Sequence, residues 1–212
     1  MISLGSLFSR QPAPLLGLDI SSSSVKLVEL GRDKEGNLIL ERCAIEPLER
    51  GWITDGNVEK FEEVAEAMRR VVKKSGTKTK NVAMALPPSA VITKKIILPG
   101  GLSEQELEVQ VETEANQYIP FSLDEVSLDF CVVGPSASSV GDVEVLIAAS
   151  RKEKVQDRQG LAEAAGLKPV IIDVESYSSR LAAGRLIEGL PNKGVQIWWP
   201  CLRSAPLRPA CR

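Results

Sequence analysis

Two apolar runs, Leu15–Ile20 and Val25–Leu30, are separated only by four serines, Ser21–Ser24. Both runs are rich in Leu, Ile and Val and short enough to be strands. A link this short joins antiparallel neighbours, because parallel strands need a crossover of about a dozen residues. The turn "DKEG" (Asp33–Gly36) and a third run, Leu38–Ile45, extend the hairpin into a meander. A helix is then expected from Asn57, with apolar residues at Val58, Phe61, Val64, Ala65, Met68, Val71 and Val72 and a stop at Gly76. "NVAMALP" (Asn81–Pro87) reads as a fourth strand, buried on both faces because it does not alternate.

The double proline Pro87–Pro88 marks a boundary. Beyond it the pattern predicts strand Ala90–Leu98 and a helix opened by a capping box, Ser103 with Glu106. That helix should bury Leu107, Val111, Ala115 and Tyr118 and end at Pro120. Strands Val126–Val133 and Val143–Ala149 and a helix over Lys152–Ala165 complete a β-α-β-β-α unit. A strand at Pro169–Ser176 and a helix at Tyr177–Leu190 return the chain to the first sheet. From Pro191 on, "PNKGVQIWWPCLRSAPLRPACR" has no helical or strand period.

Composition narrows the functional classes. With 26 basic against 28 acidic residues and no basic stripe, nothing suggests a nucleic-acid footprint. The apolar runs are strand-sized, short of the roughly 20 residues of a membrane-spanning helix, and no secretory signal is visible. The four cysteines, Cys43, Cys131, Cys201 and Cys211, lack metal spacing and suit a reducing compartment. Histidine is absent, which excludes Ser–His and Cys–His nucleophile schemes.

A polar hairpin loop can turn backbone N–H groups and hydroxyls toward a phosphate. A carboxylate at the end of the first strand can hold Mg²⁺ through water, and a lysine beyond the loop adds charge. Asp19, Ser21, Ser22, Ser23, Ser24 and Lys26 occupy these positions, with Asp19 as the candidate metal ligand. Taken alone, the same residues also make an ordinary hairpin loop.

The order β-β-β-α-β, an insertion, then a return to the sheet resembles the actin/sugar-kinase nucleotide-binding superfamily. The seven-residue spacing of Asp19 and Lys26 resembles the first phosphate loop of actins. "LLGLDISSSSVKLVEL", "EANQYIPF", "VEVLIAASRKEKV" and "VIIDVESYS" narrow the resemblance to the type IV pilus assembly protein PilM family, related to the cell-division protein FtsA, over about residues 14–190. The resemblance implies an α/β fold: half of an actin-like, ribonuclease H-like ATPase domain, with a mixed sheet, flanking helices and a small α+β inserted subdomain. Residues 14–87 and 168–190 would form subdomain 1A, residues 88–167 the inserted subdomain 1C, and residues 1–13 a flexible start. An actin-type second phosphate loop and adenosine-binding Gly pair are missing, so ATP and Mg²⁺, the cofactors of full-length relatives, are expected to bind weakly or not at all. No turnover is expected. Codon freedom lets residues 191–212 be read in another frame as the missing hairpin, which suggests a frameshift near Gly194–Gln196 and a truncated product.

In such a family the partner is the N-terminal cytoplasmic peptide of PilN, held in a groove between subdomains 1A and 1C. Ile92, Ile96, Tyr118, Ile119 and Phe121 are the candidate groove residues, with filling of the insertion's own core as the alternative. The resemblance further implies a cytoplasmic protein peripheral to the inner membrane, reached through PilN, among other pilus platform proteins. The rival readings are an ATPase of the superfamily, with Asp173 or Glu175 near the cleft, and an FtsA-like division protein.

Overall fold

The computed structural model describes residues 14–189. The tail at 191–212, with its frameshift reading, and the start at 1–13 lie outside the described residues. The elements run β1 (Leu16–Ile20), β2 (Ser24–Arg32), β3 (Leu38–Pro47), β4 (Ile53–Thr54), β5 (Asn57–Val58), α1 (Phe61–Ser75) and β6 (Asn81–Leu86). There follow β7 (Val91–Pro99), α2 (Glu104–Tyr118), β8 (Val126–Pro135), β9 (Asp142–Arg151), α3 (Lys152–Ala164), β10 (Lys168–Val174) and α4 (Glu175–Glu188). Two compact units result. Among the described residues, one comprises 14–84 and Gly160–Ile171; the other comprises Ala85–Gln159 and 172–189.

The first unit is built on a five-stranded sheet in the order β10-β6-β1-β2-β3. β1, β2 and β3 form the antiparallel meander, and β6 joins β1 in parallel. Alternation on β2 sets its faces: Val25, Leu27 and Glu29 are buried, whereas Lys26, Val28 and Leu30 are exposed. The buried face receives α1, whose Val64, Ala65, Met68 and Val71 are fully buried. The end of α3 lies alongside α1, with Arg69 Nε donating to Ala164 O at 2.9 Å.

Two expectations for this unit need correction. The helix starts at Phe61, not Asn57. Asn57 and Val58 pair instead with Thr54 and Ile53 in a two-residue hairpin. Its turn is Asp55–Gly56, both at positive φ (52° and 82°), as a type I′ turn requires. β6 does alternate: Val82, Met84 and Leu86 are buried, and the residues between them are half-buried. Short side chains at Ala83 and Ala85 hid that alternation from an apolar count.

The second unit carries a three-stranded antiparallel sheet in the order β7-β9-β8. Ile96, Leu98, Val145 and Ile147 on the sheet pack with Val111 of α2 into one core. A smaller cluster joins Ala115, Ile119, Val126 and Ala149. The capping box forms as expected, with Ser103 N–H donating to Glu106 Oε2 at 2.8 Å and Glu106 N–H donating to Ser103 Oγ at 3.3 Å. Tyr118, expected in the core, is instead 45% exposed at the last turn of α2. No described helix is long and apolar enough to cross a membrane.

Candidate functional sites in the two units

The serine hairpin closes on itself. Ser21 N–H and Ser21 Oγ both donate to Ser24 O at 3.0 Å, and Leu48 N–H donates to Ser23 O at 2.8 Å. Ser22 and Ser23 are exposed at the tip, whereas Ser21 and Ser24 are half-buried. Asp55 is the one described non-glycine residue at positive φ, so no serine of the loop needs glycine's freedom. On the adjoining strands Asp19 stands opposite Lys26, and Lys26 Nζ meets Asp19 Oδ2 at 2.7 Å.

All six predicted phosphate-loop residues therefore share one hairpin end. The donor set fits a phosphate and a hydrated Mg²⁺ chemically: a carboxylate, an ammonium and the two exposed tip serines. Asp19 would hold the metal's water and Lys26 the phosphate charge. When bound, a nucleotide would supply the triphosphate charge that this end of the hairpin would meet.

The predicted groove residues divide between two environments. Even-numbered positions of β7 face α2, and along that face Leu98 and Ile96 lie in the dry core. Ile96 is 7% exposed and is not available as a groove wall, since the residue opposite it is the fully buried Val145. Toward the start of β7 the same face opens. There Ile92, Ile119 and Phe121 line an apolar cleft of about 160 Å³ with Val126 and Ala149. Tyr118 lies beside it, with Lys94 Nζ 4.6 Å from the centre of its ring. The Arg151 guanidinium stands 5.5 Å from the centre of the Phe121 ring. Arg151 also forms an exposed ion pair with Glu153 at 2.8 Å, and Lys152 Nζ donates to Asp124 O at 2.7 Å.

Sequence reasoning missed what shapes the cleft's mouth. Ser150 is buried and donates to Ala90 O at 2.8 Å, tying the short 3-10 turn Pro88–Ala90 to the end of β9. The double proline was the signal: Pro87 is extended and Pro88 opens that turn. Asp173 serves the start of α4. Its carboxylate accepts from Val174 N–H at 2.7 Å and from Ser178 Oγ at 2.8 Å.

The sequence profile of the family described as type IV pilus assembly protein PilM matches residues 17–199. The chain belongs to the PilM family. Among solved structures, a PilM–PilN type IV pilus biogenesis complex matches with a TM-score of 0.72 and 31% identity, over 82% of this chain and 51% of that one. The chain thus spans about half the length of that relative. The cytoplasmic domain of EpsL, an inner-membrane component of the Vibrio cholerae type II secretion system, matches at 12% identity and a TM-score of 0.48, over 77% and 58% of the two chains. The ethanolamine utilization protein EutJ from Carboxydothermus hydrogenoformans matches at 14% identity and a TM-score of 0.40, over 85% and 42%. The fold is the α/β, actin-like fold of the PilM family.

Proposed function

We propose that this chain is a component of the type IV pilus assembly platform that binds the N-terminal peptide of PilN, and that the cleft at Ile92, Ile119 and Phe121 anchors that peptide. One observation carries the reading: an apolar, partly open cleft on the unit containing "EANQYIPF", in a chain 31% identical to the PilM of a PilM–PilN complex. A cleft of about 160 Å³ suits one or two apolar side chains of an extended segment, whose backbone stays near solvent. The aromatic walls supply contact area at small entropic cost, and the flanking Lys94 and Arg151 hold Tyr118 and Phe121 in place.

On this reading the protein works at the cytoplasmic side of the inner membrane, which it reaches through PilN. The serine hairpin is the first half of a nucleotide site. An exposed carboxylate, an ammonium and two tip serines give few of the contacts needed to offset the cost of ordering a ligand, so this hairpin alone binds Mg-ATP weakly. Calorimetric titration with a peptide of the PilN N-terminus tests the peptide reading. Saturable binding that disappears in Ile92→Lys supports it, and absence of binding by a cooperatively folded sample overturns it.

A further inference from the structure

β3 is the last strand of its sheet, ten residues long, and nine of the ten are exposed or half-buried. Long, apolar, unprotected end strands are pairing templates, and natural proteins usually blunt them. Among the described residues, a side chain covers the strand's backbone at one end, where Lys74 Nζ donates to Ile45 O at 2.8 Å. The stretch before it reads "LILERCAI" (Leu38–Ile45). Leu38, Ile39, Leu40 and Ile45 are between 42% and 59% exposed.

The faces of β3 are set by a bulge. Its register against β2 slips between Glu29 and Leu30, so that Arg42 opposes Glu29 and Leu40 opposes Leu30. A Cβ added at Gly31 would run into the Glu41 carboxylate, which places Glu41 on the face of Gly31, the same face as Arg42. Leu40 and Cys43 lie on the other face, with the exposed Leu30 and Val28.

We propose that β3 pairs antiparallel with β3 of a second copy of this chain, about a two-fold axis between Glu41 and Arg42. In that register Glu41 opposes Arg42 twice, Leu40 opposes Cys43, Ile39 opposes Ala44, and Leu38 opposes Ile45. Each opposed pair shares a face, because the bulge occurs symmetrically in both strands. Sliding by one residue would set Glu41 against Glu41 or Arg42 against Arg42, and like charges directly opposite are destabilising. Arg42 is half-exposed while it faces Glu29, and a guanidinium with five donors can serve a second carboxylate. Charge and apolar matching therefore select one register of a second copy.

Sedimentation equilibrium on the full chain at high micromolar concentration gives a dimer, and a monomer there overturns the proposal. Register is read by disulfide formation in a Cys131→Ser, Cys201→Ser, Cys211→Ser background that keeps Cys43. Leu40→Cys then crosslinks two copies under mild oxidation, because it stands opposite Cys43 of the second copy. Within one chain the two thiols are too far apart to bond, since three residues of strand span roughly 10 Å. Ala44→Cys, whose partner is Ile39, gives no more crosslink than the background. Equal crosslinking by both variants overturns the register. Glu41→Lys weakens the dimer about tenfold, through two lost pairs and new repulsion; an unchanged dissociation constant also overturns it. Leu40 and Glu41 are exposed, so Leu40→Cys and Glu41→Lys should fold as the parent does; Ala44 is buried, so Ala44→Cys is used only once its thermal melt and its thiol titration in the native state match the Leu40→Cys variant.

Discussion

Asp19 and Lys26 face each other across the first hairpin, and their side chains meet at 2.7 Å with about half of each exposed to solvent. An ion pair this exposed contributes little to stability, about 0–1 kcal/mol. Its partners can therefore separate to receive other charges at small cost. Asp19→Ala is expected to leave the urea midpoint nearly unchanged. It should also remove whatever small stabilisation Mg-ATP gives in a thermal melt. A large loss of stability without nucleotide would show the pair to be a structural clamp instead.

Ile92 and Ile96 lie two turns of the pleat apart on one strand, yet they should respond to truncation in opposite ways. Ile96→Ala leaves a cavity beside Val111 and Val145 and is expected to cost about 2–5 kcal/mol. Ile92 and Phe121 are 36% and 40% exposed, so Ile92→Ala and Phe121→Ala should cost much less stability. Their effect should fall on peptide affinity, measured by the same calorimetric titration. Equal destabilisation by Ile92→Ala and Ile96→Ala would remove the distinction between cleft and core.

That distinction marks the limit of what the chain's pattern made legible. The meander, the stop at Gly76 and the capping box are local features, and each depends on residues within a few positions of one another. The positions of Ile92, Ile119 and Phe121 beside a cleft depend on where α2 stops covering β7. Ile92 and Ile96 share periodicity, chemistry and strand face, so nothing local separates them. Tyr118 falls on the apolar stripe of α2 but lies at its last turn, half-exposed beside Lys94 of β7. The Asp55–Gly56 turn was legible and was overridden by the helical stripe, which Val58 extends by chance.

Glu29 is the most buried acidic side chain of the first unit, with its side chain 8% exposed beneath the sheet. Thr79 Oγ1 donates to its Oε1 at 2.5 Å. Arg42 Nε lies 3.3 Å from Oε2, close enough for an ion pair but not aligned for a hydrogen bond. Sequence gave no hint of the contact between Glu29 and Thr79, which are 50 residues apart. Thr79→Val keeps the shape and removes the donor, leaving a carboxylate oxygen under-satisfied. The expected cost is about 1–3 kcal/mol by chemical denaturation. Glu29→Gln in the same background should recover part of that loss, because a neutral amide is cheaper to bury than a carboxylate that has lost its hydrogen-bond donor. If the double variant is no more stable than Thr79→Val alone, buried charge is not the source of the cost.

Glu106 gives the start of α2 a pH dependence whose sign can be fixed. Its carboxylate accepts first from the Ser103 backbone N–H and then from the Ser103 hydroxyl, which hold its pKa below the ordinary 4.5. A depressed carboxylate binds protons less readily folded than unfolded, so its contribution is complete above the unfolded value. It is lost as the pH falls from about 4.5 through the lower folded value. Glu106→Gln should therefore flatten this part of the acid limb of the stability curve, with its difference from the parent greatest above that window. Ser103→Ala removes the other half of the box and should cost about 1 kcal/mol at neutral pH, as N-cap losses usually do. Amide exchange in the first turn of α2 is the direct measurement. Protection that does not change in either variant would mean that sheet packing at Leu107 and Val111, and not the cap, holds this helix end closed.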